Sequence, residues 1–103
     1  GTAIALETLS KNEQGFFLMV EGSQIDWAGH ANDSAYLVTE MFDFDEAVKT
    51  AFDFADQHPE TLVIVTADHE TGGLTLIRES KGTPLKLHYS SGDHSAVMVP
   101  VFA

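Results

Sequence analysis

The chain has 103 residues, 44% of them hydrophobic, with five basic against 16 acidic side chains and a formal charge of −11. That length suits one domain or part of one, and the acidic balance excludes nucleic acid as a partner, because phosphate-backbone binding needs clustered Lys and Arg. The lack of cysteine excludes disulfides, thiolate zinc sites and cysteine nucleophiles, so any zinc site must use His and carboxylate ligands.

Taken in chain order, Thr2 to Lys11 reads as a short helix with Ile4, Leu6 and Leu9 apolar, stopped by Asn12 to Gly15. Phe16 to Val20 is a continuous apolar run bounded by Gly15 and Glu21-Gly22, the pattern of a strand buried on both faces. Ser23 to Asp33 is polar and glycine-containing and reads as a loop. Ala35 to Met41 reads as helical and runs toward the clearest helix, Asp43 to His58. Asp43 and Glu46 there have capping-box spacing, Phe44, Val48, Ala51 and Ala55 recur at helical intervals, and Asp45 and Lys49 stand four apart. Pro59 stops it. Thr61 to Thr66 is a second buried strand, and strand, helix and strand in that order predict a parallel βαβ unit. Leu74 to Glu79 and Leu85 to Tyr89, joined by Lys81-Gly82-Thr83-Pro84, predict an antiparallel hairpin. Ser91 to His94 reads as a loop and Val97 to Phe102 as a last strand. No stretch reaches the roughly 20 apolar residues of a membrane span. Gly1 in place of Met, and an apolar run still open at the end, predict a piece of a longer protein.

The polar residues of interest follow the buried strands. Glu21 comes directly after the first, and Asp68 and His69 come after the second. Ligands of parallel α/β sheets bind outside the carboxyl ends of their strands. Asp26 and His30 are four apart, a spacing that points both the same way on a helical turn, and His94 lies near the last strand. Each alone has a plain alternative: a cap, a surface histidine, a solvated carboxylate. Their joint placement, with so few basic partners in the chain, favours cation ligation. His and carboxylate ligands with open positions are the pattern of catalytic zinc, and two such clusters suit a two-metal site, with the metals roughly 3.5–4 Å apart, acting on a phosphoryl group. His58 and His88 are assigned structural roles. Trp27 reads equally as core or as the wall of a cleft.

At these residues the sequence resembles the alkaline phosphatase family. The resemblance is carried by Gly15 to His30 (GFFLMVEGSQIDWAGH), by Thr66 to Gly73 (TADHETGG) and by Gly92-Asp93-His94, in that order. It implies an α/β fold, with these residues a C-terminal fragment, 1–103, of a catalytic domain. They would form part of a three-layer sheet that includes the βαβ unit and the hairpin. It implies two zinc ions and one magnesium. Asp26, His30 and His94 match the ligands of one zinc, Asp68 and His69 two ligands of the other, and Glu21 one magnesium ligand. It implies a phosphate monoester as substrate, attacked by a serine that lies in an earlier part of the chain, as does a phosphate-binding arginine. The Asp-Ser-Ala nucleophile segment is absent here and the only arginine, Arg78, lies away from the motifs, so the 103 residues alone are expected to be inactive. The remaining N-terminal part of the same chain is the expected partner, with a homodimer possible, and a periplasmic or extracellular location is implied by the family alone. Two other readings compete: a phosphodiesterase or mutase of the same superfamily, and a non-catalytic acidic metal-binding module.

Overall fold

Three helices precede six short strands, and the computed structural model describes all 103 residues. Helix α1 spans Thr2–Leu9 and closes on Ser10, whose N–H donates to the Leu6 carbonyl. Helix α2, Ser23–Ala31, occupies the stretch read as a loop from its polar and glycine-containing sequence. Its end is explicit: Asn32 adopts φ 53°, ψ 34° and returns its N–H to the Ala28 and Gly29 carbonyls, the left-handed cap that terminates many helices. Asp33 then caps helix α3, Ser34–Gln57, by accepting from the Tyr36 N–H at 3.0 Å.

Helix α3 is therefore capped ten residues before the expected cap, and Asp43 lies inside it. The segment Ala35 to Met41 keeps the helical period, so no physical break exists at Asp43 for a cap to serve. Lys49 pairs with Asp53, one turn onward, and not with Asp45. His58, the residue before Pro59, leaves the helical region at φ −131°, ψ 80°, as the proline ring demands of its predecessor. Helix α3 is the backbone of the structure, with α1 and α2 both packed on it.

The strands are β1 (Val65–Thr66), β2 (Glu70–Thr71), β3 (Thr75–Ile77), β4 (Lys86–His88), β5 (His94–Ser95) and β6 (Val101–Phe102). They pair β1 with β6, β2 with β5 and β3 with β4, all antiparallel. The β3–β4 hairpin is the one expected, and of the expected final strand Val97 to Phe102 only Val101–Phe102 pairs, as β6. His94, expected in a loop, sits in β5 opposite Thr71. The expected parallel βαβ unit is not formed: Phe16 to Val20 makes no ladder, and of Thr61 to Thr66 only the last two residues do, with β6. An apolar run on both faces says that a strand will be covered; it does not supply the neighbour. Both runs nevertheless alternate in burial. Phe16 and Leu18 turn inward while Phe17 and Met19 are 90% and 77% exposed, and Leu62 and Ile64 face out between half-buried neighbours. Phe16 meets Phe54 of α3 edge-on, with centroids 6.2 Å apart.

Burial is sparse. Leu6, Ala28 and Leu37 are the buried apolar side chains. The radius of gyration is 16.5 Å, against about 13 Å for a compact chain of this length. No helix is long and apolar enough to cross a membrane.

Candidate metal centre

Asp26 lies in the first turn of α2 and His30 in its last, and their four-residue spacing brings Asp26 Oδ1 and His30 Nε2 to 3.4 Å. His94 arrives from 64 residues away on β5, its Nε2 at 3.1 Å from His30 Nε2 and 3.3 Å from Asp26 Oδ1. What lets the helix and the strand pair meet is the small size of two residues. A Cβ on Gly29 would lie 3.0 Å from the Thr71 side chain, and one on Gly72 would lie 2.9 Å from the Gly29 carbonyl. Gly72 also stands at φ 88°, which an L side chain rarely adopts.

Asp26, His30 and His94 each offer a ligand atom, and the three atoms lie within 4.8 Å of one another. The ring of His30 is oriented by a backbone acceptor: its Nδ1–H donates to the Gly92 carbonyl at 2.6 Å. A neutral imidazole with its proton on Nδ1 presents a lone pair at Nε2. A carboxylate oxygen and imidazole lone pairs facing one another at these distances repel, unless a proton or a cation lies among them. The donor chemistry thus fits a borderline cation such as zinc held by two His and one Asp with positions left open.

A second pair lies beside the first. Asp68 and His69 occupy the bend between β1 and β2, with Asp68 Oδ2 3.4 Å from His69 Nε2 and Asp68 Oδ1 accepting from the His69 N–H at 3.1 Å. His69 stacks on His94 with ring centroids 3.6 Å apart and planes 22° from parallel. Thr71, on β2, donates from Oγ1 to Asp26 Oδ1 at 2.5 Å and lies 3.2 Å from His69 Nδ1. The Thr71 hydroxyl is the main cause holding the Asp26 carboxyl below its ordinary range. Partial burial opposes this, and His30, His94 and His69 add to it. Glu70 is lowered as well, by the Ser95 hydroxyl first and then by the Leu74 N–H.

Five of the six residues singled out from the sequence therefore gather in one place, although only Asp26, His30 and His94 form a single ligand group. Glu21 does not join them. It lines a shallow cleft with Glu40 and Asp43 at the start of α2. Trp27 is 60% exposed on α2, so it is not core in this chain. Sequence reasoning missed Thr71 and the Gly92 carbonyl as hydrogen-bond partners of Asp26 and His30. Thr71 stands within the TADHETGG segment, but nothing in a threonine before two glycines announces a hydroxyl aimed at a carboxylate 45 residues earlier.

The chain matches the family described as alkaline phosphatase over residues 1–103. It is 56% identical over 75 residues to alkaline phosphatase 3 of Bacillus subtilis, covering 73% of this chain and 16% of that protein. It is 45% identical over 95 residues to the alkaline phosphatase of Escherichia coli, covering 92% of this chain and 20% of that one. In three dimensions it superposes on the alkaline phosphatase of the Antarctic bacterium TAB5 with a TM-score of 0.90 and 50% identity, over 98% of this chain and 31% of that one. A variant of the TAB5 protein, described with Mg bound in its M3 site, superposes with a TM-score of 0.88 at 49% identity. The chain spans a third or less of each of these proteins.

Proposed function

The chain belongs to the alkaline phosphatase family, and on that premise we propose that its 103 residues form the metal-holding C-terminal part of a phosphomonoester hydrolase. The observation that carries this reading is the convergence of Asp26, His30 and His94 within 4.8 Å from segments more than 60 residues apart. Asp26, His30 and His94 would hold one zinc, Asp68 and His69 would give two ligands to a second, and Glu21 would give one to magnesium. Such ions supply Lewis-acid stabilisation of the charge on a transferring phosphoryl group.

The chain's own residues prepare that site. The Gly92 carbonyl holds the His30 ring so that Nε2 faces Asp26 and His94. The β2–β5 pairing holds His94 at the same point. Exposed Asp68 and half-exposed His94 leave the centre open to an incoming phosphate monoester. The nucleophilic serine and a phosphate-binding arginine belong, in this proposal, to the N-terminal part of the same protein. Arg78 is exposed beyond β3 and takes no part. The bare outer faces of residues 16–20 and 61–64 support a further element of the proposal: in the full protein these runs are parallel neighbours in a three-layer sheet. A periplasmic or extracellular location and a homodimeric state belong to the same proposal and rest on family membership alone.

The full-length protein should hydrolyse p-nitrophenyl phosphate in preference to a phosphodiester. Second-sphere changes already cost about 10–100-fold in metal sites, so loss of a ligand in His94→Ala should lower kcat/KM by more than about 100-fold and remove one zinc by native mass spectrometry. The isolated 103 residues should show no turnover, because nucleophile and metals act as a unit. Turnover by the isolated chain, or an unchanged zinc count in His94→Ala, would sink the proposal.

A further inference from the structure

Asp26 on α2 and His69 in the β1–β2 bend belong to two different ligand groups, yet one side chain touches both. Thr71 Oγ1 is 2.5 Å from Asp26 Oδ1 and 3.2 Å from His69 Nδ1. A threonine hydroxyl has one proton and two lone pairs. An ionised carboxylate only accepts, so that proton is committed to Asp26, and the contact to His69 is made by Thr71 Oγ1 accepting from Nδ1–H. With its proton on Nδ1, the His69 ring presents its lone pair at Nε2, the nitrogen that lies 3.4 Å from Asp68 Oδ2. The hydroxyl therefore sets the direction of one ligand and the tautomer of another.

We propose that Thr71 is a positioning residue that couples the two metal half-sites, its hydroxyl orienting Asp26 in one and fixing the tautomer of His69 in the other. This rests on the reading of Asp26 and His69 as metal ligands. The geometry around Thr71 suits the task. Threonine is β-branched and stiff at χ1. Its methyl side faces Gly29 of α2, where a Cβ would come within 3.0 Å of both Cβ and Cγ2, so the side chain is braced from behind while the hydroxyl faces the ligands. Its backbone is paired with His94 across the β2–β5 ladder. The residue thus touches or braces Asp26, His69 and His94 at once. Serine would keep the hydroxyl and lose the brace, whereas valine would keep the shape and lose the hydroxyl.

That opposition supplies the test, run on the full-length protein loaded with zinc and magnesium. Thr71→Val, Thr71→Ser and His94→Ala would be challenged with a chelator, and the metal retained counted by native mass spectrometry, with kcat and KM measured alongside. The hydroxyl role predicts that Thr71→Val weakens zinc retention by about 10–100-fold, the range for second-sphere partners. It predicts that both zinc positions are affected, and that Thr71→Ser stays within a few-fold of the unaltered protein. A brace alone predicts the reverse order, and that order overturns the proposal, as does retention unchanged in both variants. Loss confined to one zinc overturns the coupling. If His94→Ala keeps all its zinc, the ligand assignment itself fails and this proposal falls with it; loss in His94→Ala with no loss in Thr71→Val overturns the role of Thr71 alone.

Discussion

At the scale of single residues, acid sensitivity is written into two carboxylates. Asp26 and Glu70 both have folded values below their ordinary ones, each chiefly through a hydroxyl donor, Thr71 and Ser95 respectively. A depressed carboxyl stabilises the fold above its ordinary value and loses that contribution as pH falls through the folded value. For Glu70 the loss starts near 4.5 and runs downward. Glu70→Gln should therefore flatten the dependence of unfolding free energy on pH in that window, measured by urea unfolding at a series of acid pH values; equal slopes would refute the assignment. The residues themselves were legible to different degrees. Asp26, His30, Asp68 and His69 were readable as a candidate cluster because metal-type side chains come after apolar runs, and His94 because it lies beside the last one. Thr71 and Ser95 were not, because a hydroxyl's part is set by what it faces, and each meets its carboxylate partner at least 25 positions away. Glu21 shares the residue type of the others, but the described fold leaves it beside Glu40 and Asp43.

At the scale of elements, local signals served where the chain made its own boundary. Pro59 ends α3 as read, whereas the Asn32–Asp33 turn from α2 to α3 fell inside the stretch expected to be a loop. Local signals misled where they had no break to mark. The Asp43–Glu46 spacing is a good cap pattern inside a segment that was helical already, and the polar, glycine-bearing α2 conceals its helix because Gly29 serves packing and not propensity. This gives an element-scale prediction with two opposed terms. Alanine at a helix interior gains about 1 kcal/mol over glycine. Here its Cβ would press on Thr71 at 3.0 Å from two side-chain atoms and 3.2 Å from the carbonyl, and overpacking of this kind costs about 1–3 kcal/mol. Gly29→Ala in the full-length protein should therefore lower the denaturation midpoint and, at the proposed zinc site, loosen the metal; a higher midpoint with the metal retained would show that the helix term wins.

At the scale of the whole molecule, the surface is too large for the chain. It exposes 7799 Å², where a compact monomer of this size exposes about 5,700 Å². The excess of about 2,100 Å² matches a large protein interface, and much of it is apolar: Phe17, Met19, Leu62, Ile64 and Met98 all stand out. The parallel unit expected from the sequence is not formed here for this reason, since runs 16–20 and 61–64 specify coverage and leave the covering chain unspecified. The isolated 103 residues should bind a hydrophobic dye and associate as concentration rises, by sedimentation, through those bare faces. A dye-silent monomer with cooperative unfolding would contradict this. The β3–β4 hairpin has a different standing in the molecule. It packs chiefly on itself and is gathered at its neck, where the Gly72 carbonyl accepts from both Ser90 and Ser91, while β2 and β5 are held together just beyond that neck. The spacing of His69 and His94 is thus set without reference to what lies between residues 75 and 88. Chain length there is free to drift, and a whole foreign domain spliced at Gly82 would ride outside the centre as a pendant.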